Sequence, residues 1–233
     1  MKTVFVTGAG RGLGRGFVEY FLENGFLVFA GVKDVSVSKL EKHENLRIIP
    51  LDVTSDSSIE EAFKLVSTQT DHLDYLVNNA GVNKDTATGN NMEIVCSLPK
   101  LERKVLLEMF DVNAISPMMV LAKFLPLLVS SLSFVVNVSS NRASYGDKTN
   151  TSGNYGYRAS KIALNMMTLA SLFDLPKNVK TFAVHPGDVK TDMNPDGDEL
   201  PHDQAKKIIG ITMNWKDENN GKYLKNDGTL YPL

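Results

Sequence analysis

Thr3-Val4-Phe5-Val6-Thr7-Gly8-Ala9-Gly10-Arg11-Gly12-Leu13-Gly14 is the stretch that decides the fold. Thr3–Thr7 is a short apolar run with the length of a buried strand. From Gly12 to Asn24, Leu13, Phe17, Val18 and Phe21 fall on one helical stripe, and Gly25 stands where glycine ends a helix. Between strand and helix, the glycines let the backbone turn tightly and approach a phosphate, with the open N–H groups of the helix behind them. An isolated glycine-rich turn reads equally well as a turn without a ligand. Its place at the head of a strand–helix unit favours the phosphate. No Gly-Lys-Ser/Thr ends the loop, which sets aside a nucleotide-triphosphate loop.

Outward from this unit the alternation repeats. Strands are expected at Leu27–Val32, Leu46–Leu51, Tyr75–Asn78, Phe134–Val138 and Thr181–His185, with a short last strand within Gly221–Leu233. A helix capped by Ser57 or Ser58 runs through Val66, with Glu60 and Glu61 in its first turn. Leu101–Val129 reads as one long helix, bent near Pro117 and interrupted near Pro126, and Tyr157–Leu172 as another. Apolar strands alternating with helices predict an α/β, Rossmann-type doubly wound parallel sheet in three α/β/α layers. No linker or repeat divides the chain, so residues 1–233 form one domain, with 192–215 as a short substrate-covering segment. Ligands of such sheets sit at the carboxyl ends of the strands, near the switch in strand order.

Composition bounds the partners. The 233 residues are 42% hydrophobic and 22% charged, enough for a sizeable core, and a net charge of −2 advertises neither nucleic acid nor an anionic membrane. The lone Cys96 allows no internal disulfide and reads as a buried structural thiol. His43, His72 and His202 lack ligand spacing, so no metal is expected. The run Val4–Val6 is too brief for a signal peptide, and Lys123 and two prolines interrupt the most apolar stretch, Pro117–Val129. The expectation is a cytoplasmic protein.

The second strand ends at Val32, where an enzyme that uses NAD usually carries an acid for the ribose 2′-hydroxyl. Lys33 follows, and Arg11 lies in the glycine turn. Two cations can clamp a 2′-phosphate by charge-assisted bonds, which favours NADPH/NADP+. They read also as ordinary surface charges, and a small register shift makes Asp34 the acid that would select NAD(H). Tyr157 and Lys161 are four apart on a predicted helix and face the same way. A phenol with a pKa near ~10 is a poor proton donor at neutral pH until a nearby ammonium favours its phenolate. Ser139 and Ser140 follow the fifth strand, where a hydroxyl can hold a substrate oxygen. Asn113 is unfavourable inside a helix. Its amide can hold a water beside Lys161, and Pro117 frees its backbone carbonyl for the same purpose.

Thr7–Gly14 fits TGxxxGxG, Asn78-Asn79-Ala80-Gly81 fits NNAG, Tyr155-Gly156-Tyr157-Arg158-Ala159-Ser160-Lys161 contains YxxxK, and Pro186-Gly187-Asp188-Val189-Lys190-Thr191 fits PGxVxT. In this order the chain resembles the short-chain dehydrogenase/reductase superfamily, in its sniffer/C-factor-like carbonyl reductase branch. The resemblance covers essentially the whole chain. It implies reduction of a small aldehyde or ketone, or the reverse oxidation of an alcohol, by NADPH. Tyr157 is then the acid, Ser140 rather than Ser139 holds the carbonyl oxygen, Lys161 bonds the nicotinamide ribose and Asn113 completes a proton relay. It further implies cofactor contacts at Gly8, Arg11, Gly12, Leu13, Gly14, Lys33, Asp52, Val53, Asn79, Ala80, Gly81, Pro186, Gly187, Val189 and Thr191. Asp52 takes the adenine amino group and Thr191 the carboxamide. Asp52 reads equally as a turn aspartate, and His185 as packed beside the Pro-Gly turn.

Two departures weaken the inference about substrate. Ser140 and Tyr157 stand farther apart than the family pattern, and the Arg142–Asn154 loop, a wall of the pocket, lacks the expected glycine near Ala143. Asp196–Glu199 reads as a solvated acidic tip. The rival reading is a dinucleotide-binding signalling or regulatory protein with incidental turnover, since fold does not fix function. A methyltransferase on a similar sheet is disfavoured by NNAG and YxxxK. The helix Tyr157–Leu172 is apolar on most sides, and the resemblance implies a homodimer through this face.

Overall fold

The structure, a computed structural model, describes residues 1–83, 98, 101–147 and 154–232. Cys96 and residues 148–153 of the 142–154 loop lie outside them. Among the described residues, seven parallel strands pair in the order β3-β2-β1-β4-β5-β6-β7. They are β1 Thr3–Thr7, β2 Leu27–Val32, β3 Leu46–Pro50, β4 Tyr75–Asn78, β5 Ser133–Val138, β6 Val179–His185 and β7 Tyr223–Lys225. The order reverses between β1 and β4, which places the switch point at the glycine turn.

Alternating side chains of β1 feed two cores. Val4 and Val6 join one with α1 (Gly12–Glu23) and α6 (Pro201–Met213). Phe5 joins the other with α2 (Asp56–Ser67) and α4 (Ser116–Leu128), where it stacks on Phe124 at 4.4 Å. Helix α1 ends in a Schellman turn. Phe26 N–H donates to the Phe21 carbonyl and Gly25 N–H to that of Leu22, with Gly25 at φ +74° and the Phe21 and Phe26 rings 4.9 Å apart.

The structure corrects several expected elements. Helix α2 is capped by Ser55, whose hydroxyl accepts from Ser58 N–H, so Asp56 occupies the first turn and Glu60 and Glu61 fall beyond it. The long helix is α3 (Arg103–Phe110), a π turn (Asp111–Ile115) and α4. The irregularity precedes Pro117, whose missing N–H interrupts the bonding of the continuous helix there, and Pro126 lies inside α4 without ending it. The run Arg103–Leu128 is long and apolar enough to cross a membrane. Here it lies against the sheet, with Val120, Leu121, Phe124, Leu127 and Leu128 in the core.

Helix α5 spans Tyr155–Ser171 and β6 starts at Val179. The segment 192–215 contains α6, which no periodicity in the sequence reading announced. Its Ala205, Ile208, Ile209 and Ile211 are core, and Gly16 of α1 admits the Pro201–His202 backbone at contact distance.

Candidate active site

The cofactor cleft begins where β1 and β4 end side by side. Thr7 Oγ1 accepts from the N–H groups of Asn79 and Ala80, and Asn79 Nδ2 donates to the carbonyls of Thr7 and Gly8. A Cβ on Gly14 would lie 2.2 Å from the Gly8 carbonyl oxygen, so only glycine lets the helix come this close. Gly8 and Gly12 take φ of +62° and +53°. Helix α1 has neither a side-chain cap nor an acid in its first turn, which leaves its first N–H groups and its positive end to an anion. Gly8, Gly12 and Gly14 therefore fit a dinucleotide pyrophosphate, and Leu13 is buried beneath them. A tight recess lies beside Thr7, Val53, Asn78, Ala80, Val112 and Ser116. Asn78 Oδ1 and Ser116 Oγ, on two of these residues, are buried with no partner among the described residues.

The two expected clamp cations already have carboxylate partners. Arg11 pairs with Asp192 at 3.1 Å and Lys33 with Asp52 at 2.8 Å. Burial pushes the Asp52 carboxyl up, but bonds from Lys33 and Thr54 outweigh it and hold the group below its usual range. Asp34 turns back to cap a short turn, accepting from Ser36 N–H at 3.0 Å. After β6, Pro186–Thr191 leads into a folded-back loop. Lys190 N–H donates to the Glu199 carbonyl at 2.8 Å, Val189 is buried, and Gly187 takes φ +91°. Thr191 faces Gly12 across the cleft. The acidic tip is only partly solvated, because Glu199 accepts from Asp188 N–H and pairs with Lys207.

At the carboxyl end of β5, Ser140 bonds the Tyr157 hydroxyl and accepts from Arg142 N–H at 3.2 Å. Ser139 Oγ is buried and has no partner among the described residues. One helical turn beyond Tyr157, the Lys161 ammonium stands 5.9 Å from the ring centre and donates to the Val138 carbonyl at 2.8 Å. Burial pulls its pKa down to about 8. Burial pushes the Tyr157 phenol up, and the opposing pull comes from Ser140 and the Arg142 charge.

Asn113 sits in the π turn and is fully buried. Its amide does not wait for a water. Oδ1 accepts from Val82 N–H at 2.8 Å, and Nδ2 donates to the Val82 carbonyl and to Ser160 Oγ. The side chain thus fixes the segment after Gly81, whose α-carbon lies close to both Asn113 and Lys161. Pro117 has no N–H for the Asn113 backbone carbonyl. His185 packs against Tyr231 at 5.3 Å and accepts from Asn141 N–H at 3.1 Å, and burial lowers its pKa to about 4. Ser140, Tyr157, Lys161, Asn113 and Gly81 are therefore neighbours at the β4–β5 strand ends, while Lys33 and Asp52 pair at the far, β2–β3 side of the cleft. Arg142, Ser160, Val82 and Tyr223 were not singled out from sequence. Arg142 and Ser160 flank the recognised serine and YxxxK runs, which was the available signal. Tyr223 had none.

A parallel sheet with a glycine turn at its switch point and a serine–tyrosine–lysine group at the neighbouring strand ends defines a nicotinamide-linked oxidoreductase of the Rossmann type. The chain belongs to the short chain dehydrogenase family, whose profile matches residues 2–200. It is similar to the NADPH-bound carbonyl reductase from chicken fatty liver, with a TM-score of 0.87 and 28% identity over 100% of this chain and 99% of that one. It is likewise similar to the carbonyl reductase Sniffer of D. melanogaster, with a TM-score of 0.88 and 25% identity over 100% of both chains. An uncharacterized oxidoreductase of Schizosaccharomyces pombe is 30% identical over 100% of this chain and 98% of its own length. The chain is accordingly an NAD(P)-dependent short-chain oxidoreductase.

Proposed function

We propose that the chain reduces a small aldehyde or ketone with NADPH, and that Tyr157 is the general acid. The observation that carries this reading is the Ser140–Tyr157 hydrogen bond with Lys161 one turn away. The bound nicotinamide supplies a hydride from C4 to the carbonyl carbon. Ser140 donates to the carbonyl oxygen and steadies its growing charge. Tyr157 gives its O–H proton to that oxygen as the C–H bond forms, leaving a phenolate beside the Lys161 ammonium. Lys161 returns the proton from the solvent side, with the Asn113 backbone carbonyl holding the water that feeds it.

Arg11 and Lys33 take the 2′-phosphate in this reading, exchanging Asp192 and Asp52 for it. Val32 at the end of β2 and the engagement of Asp34 with Ser36 support NADPH over NADH. Residues 192–200, ahead of α6, cover the substrate. A cytoplasmic location accords with a single cysteine. A two-fold dimer accords with the exposed Leu107, Ile115, Met119, Met166, Leu169 and Phe173 on and beside α3–α5, and sedimentation at micromolar concentration checks it.

The test is a screen of carbonyl compounds read by NADPH oxidation, run beside Tyr157→Phe. The variant should bind NADPH as the parent does and lose most turnover. Near-parental reduction by Tyr157→Phe would remove the assigned acid. Retention of the chain's biological role by an inactive Tyr157→Phe would favour the signalling reading instead.

A further inference from the structure

The loop that carries Ser140 is held from behind by the last strand and the residues after it. Ser140 has extended backbone and starts a short turn over Asn141–Ala143. The peptide unit joining Ser140 to Asn141 is gripped at both polar ends. Tyr223, buried at the start of β7, donates its hydroxyl to the Ser140 carbonyl at 2.6 Å. His185, at the end of β6, accepts the Asn141 N–H on Nδ1 at 3.1 Å. Because a peptide unit is planar, fixing its C=O and its N–H fixes the plane and the place of the Ser140 α-carbon within it, and the Arg142 N–H bonded to Oγ then sets the direction of the side chain.

The two gripping residues share a support. Tyr231 stacks on Tyr223 at 4.9 Å and meets His185 edge-on at 5.3 Å. The Tyr231 hydroxyl donates to Asp147 at 2.8 Å, and the Ser144 hydroxyl donates to the Pro232 carbonyl. The segment after β7 is therefore tied to the same loop, 140–147, at two further points. The imidazole stays neutral at pH 7, since burial holds its pKa near 4, so Nδ1 remains an acceptor.

We infer that Tyr223 and His185 are positioning residues that pin the Ser140–Asn141 peptide plane, with Tyr231 as their common strut, and so aim the Ser140 hydroxyl at Tyr157 and the substrate oxygen. The inference rests on the carbonyl-reduction reading for its effect on rate, but the grip itself does not depend on it.

Tyr223→Phe keeps both ring contacts and removes the hydroxyl alone. The expected kcat falls about tenfold, with KM within about twofold, because Ser140 acts mainly as charge grows on the oxygen. NADPH affinity should stay close to the parent's, and the thermal midpoint should fall by a few degrees, the effect of leaving the buried Ser140 carbonyl without its donor. In a Ser140→Ala background, Tyr223→Phe should cost nothing further, since its effect passes through Ser140. Amide exchange across Asn141–Asp147 should rise in Tyr223→Phe, and His185→Leu should raise it over the same residues. An unchanged kcat with unchanged exchange overturns the inference, as does a full additional loss in the Ser140→Ala background. If the parent chain reduces no carbonyl compound, the reading of the reaction falls, and the exchange measurement alone decides whether Tyr223 holds the loop.

Discussion

Replacing Lys161 by methionine should stabilise the protein at neutral pH while removing its turnover. The ammonium is 4% exposed, and burial takes its pKa from 10.5 to about 8. At ~1.4 kcal/mol per pH unit, that displacement means the charged form destabilises the native state by about 3 kcal/mol. Methionine carries no such charge. It leaves the Val138 carbonyl without its donor, a loss of about 1–2 kcal/mol. The net gain at pH 7 is about 1–2 kcal/mol, or a rise in Tm of roughly 2–8 °C for a chain of this size.

The sign with pH is the sharper part. Between pH 8 and 10.5 the unfolded chain holds the Lys161 proton and the native chain has released it, so parental stability climbs with pH through this window. Lys161→Met has no such climb. Its advantage should shrink by about 3 kcal/mol between pH 7.5 and 10.5 and reverse at the alkaline end, where only the lost Val138 bond remains. Denaturant melts of both proteins at closely spaced pH values measure this difference, and tyrosines that titrate in both cancel. A variant less stable than the parent at pH 7, or a difference flat in pH, would refute the argument that Lys161 is buried as a charge.

Asp192→Asn should release Arg11 and raise NADPH affinity by about two- to fivefold with little change for NADH, the modest effect expected of an exposed ion pair. Fluorescence titration with both cofactors checks it, and an equal gain for both, or none, counts against Arg11 at the 2′-phosphate. Gly16→Ala puts a Cβ 2.5 Å from the Pro201 carbonyl group, about 1 Å inside ordinary contact, with backbone that cannot turn aside. Overpacking of about 1–3 kcal/mol exceeds the ~0.5–1 kcal/mol that alanine returns to a helix. A fall in Tm of roughly 2–8 °C is expected by calorimetry, and an unchanged or higher Tm would show that α6 is not seated on α1.

The strands were legible because buried parallel strands write continuous apolar runs, and the glycine turn because only glycine fits its backbone. Helix α6 was not. Its apolar residues Ala205, Ile208, Ile209 and Ile211 are interrupted by charged Lys206 and Lys207 and follow an acidic loop, and what seats the helix is Gly16, almost two hundred positions away. The residues of the site were legible through motifs; their relations were not. Nothing in the spacing says that the Asn113 amide turns to Val82, that the Arg142 charge acts on the Tyr157 phenol, or that Lys33 pairs with Asp52. These depend on which loops meet at the strand ends. Tyr223 and Tyr231 lie outside every motif, and their contact with Ser140 and Asp147 exists only because β7 is laid down beside β6.

The π turn at Asp111–Ile115 has a consequence of angular phase. A turn that holds one residue more than its neighbours offsets everything after it by about 100° around the axis. Before the turn, Leu106 and Met109 crowd Gly156 of α5. After it, Val120, Phe124 and Leu128 recur every fourth residue and face the sheet. Neither stripe extrapolates into the other. Deleting one residue from this turn would restore a regular α turn and leave both stripes seated, whereas tightening the turn to α spacing with all its residues kept would act like a slipped gear, swinging Phe124 away from Phe5 while α3 kept its seat.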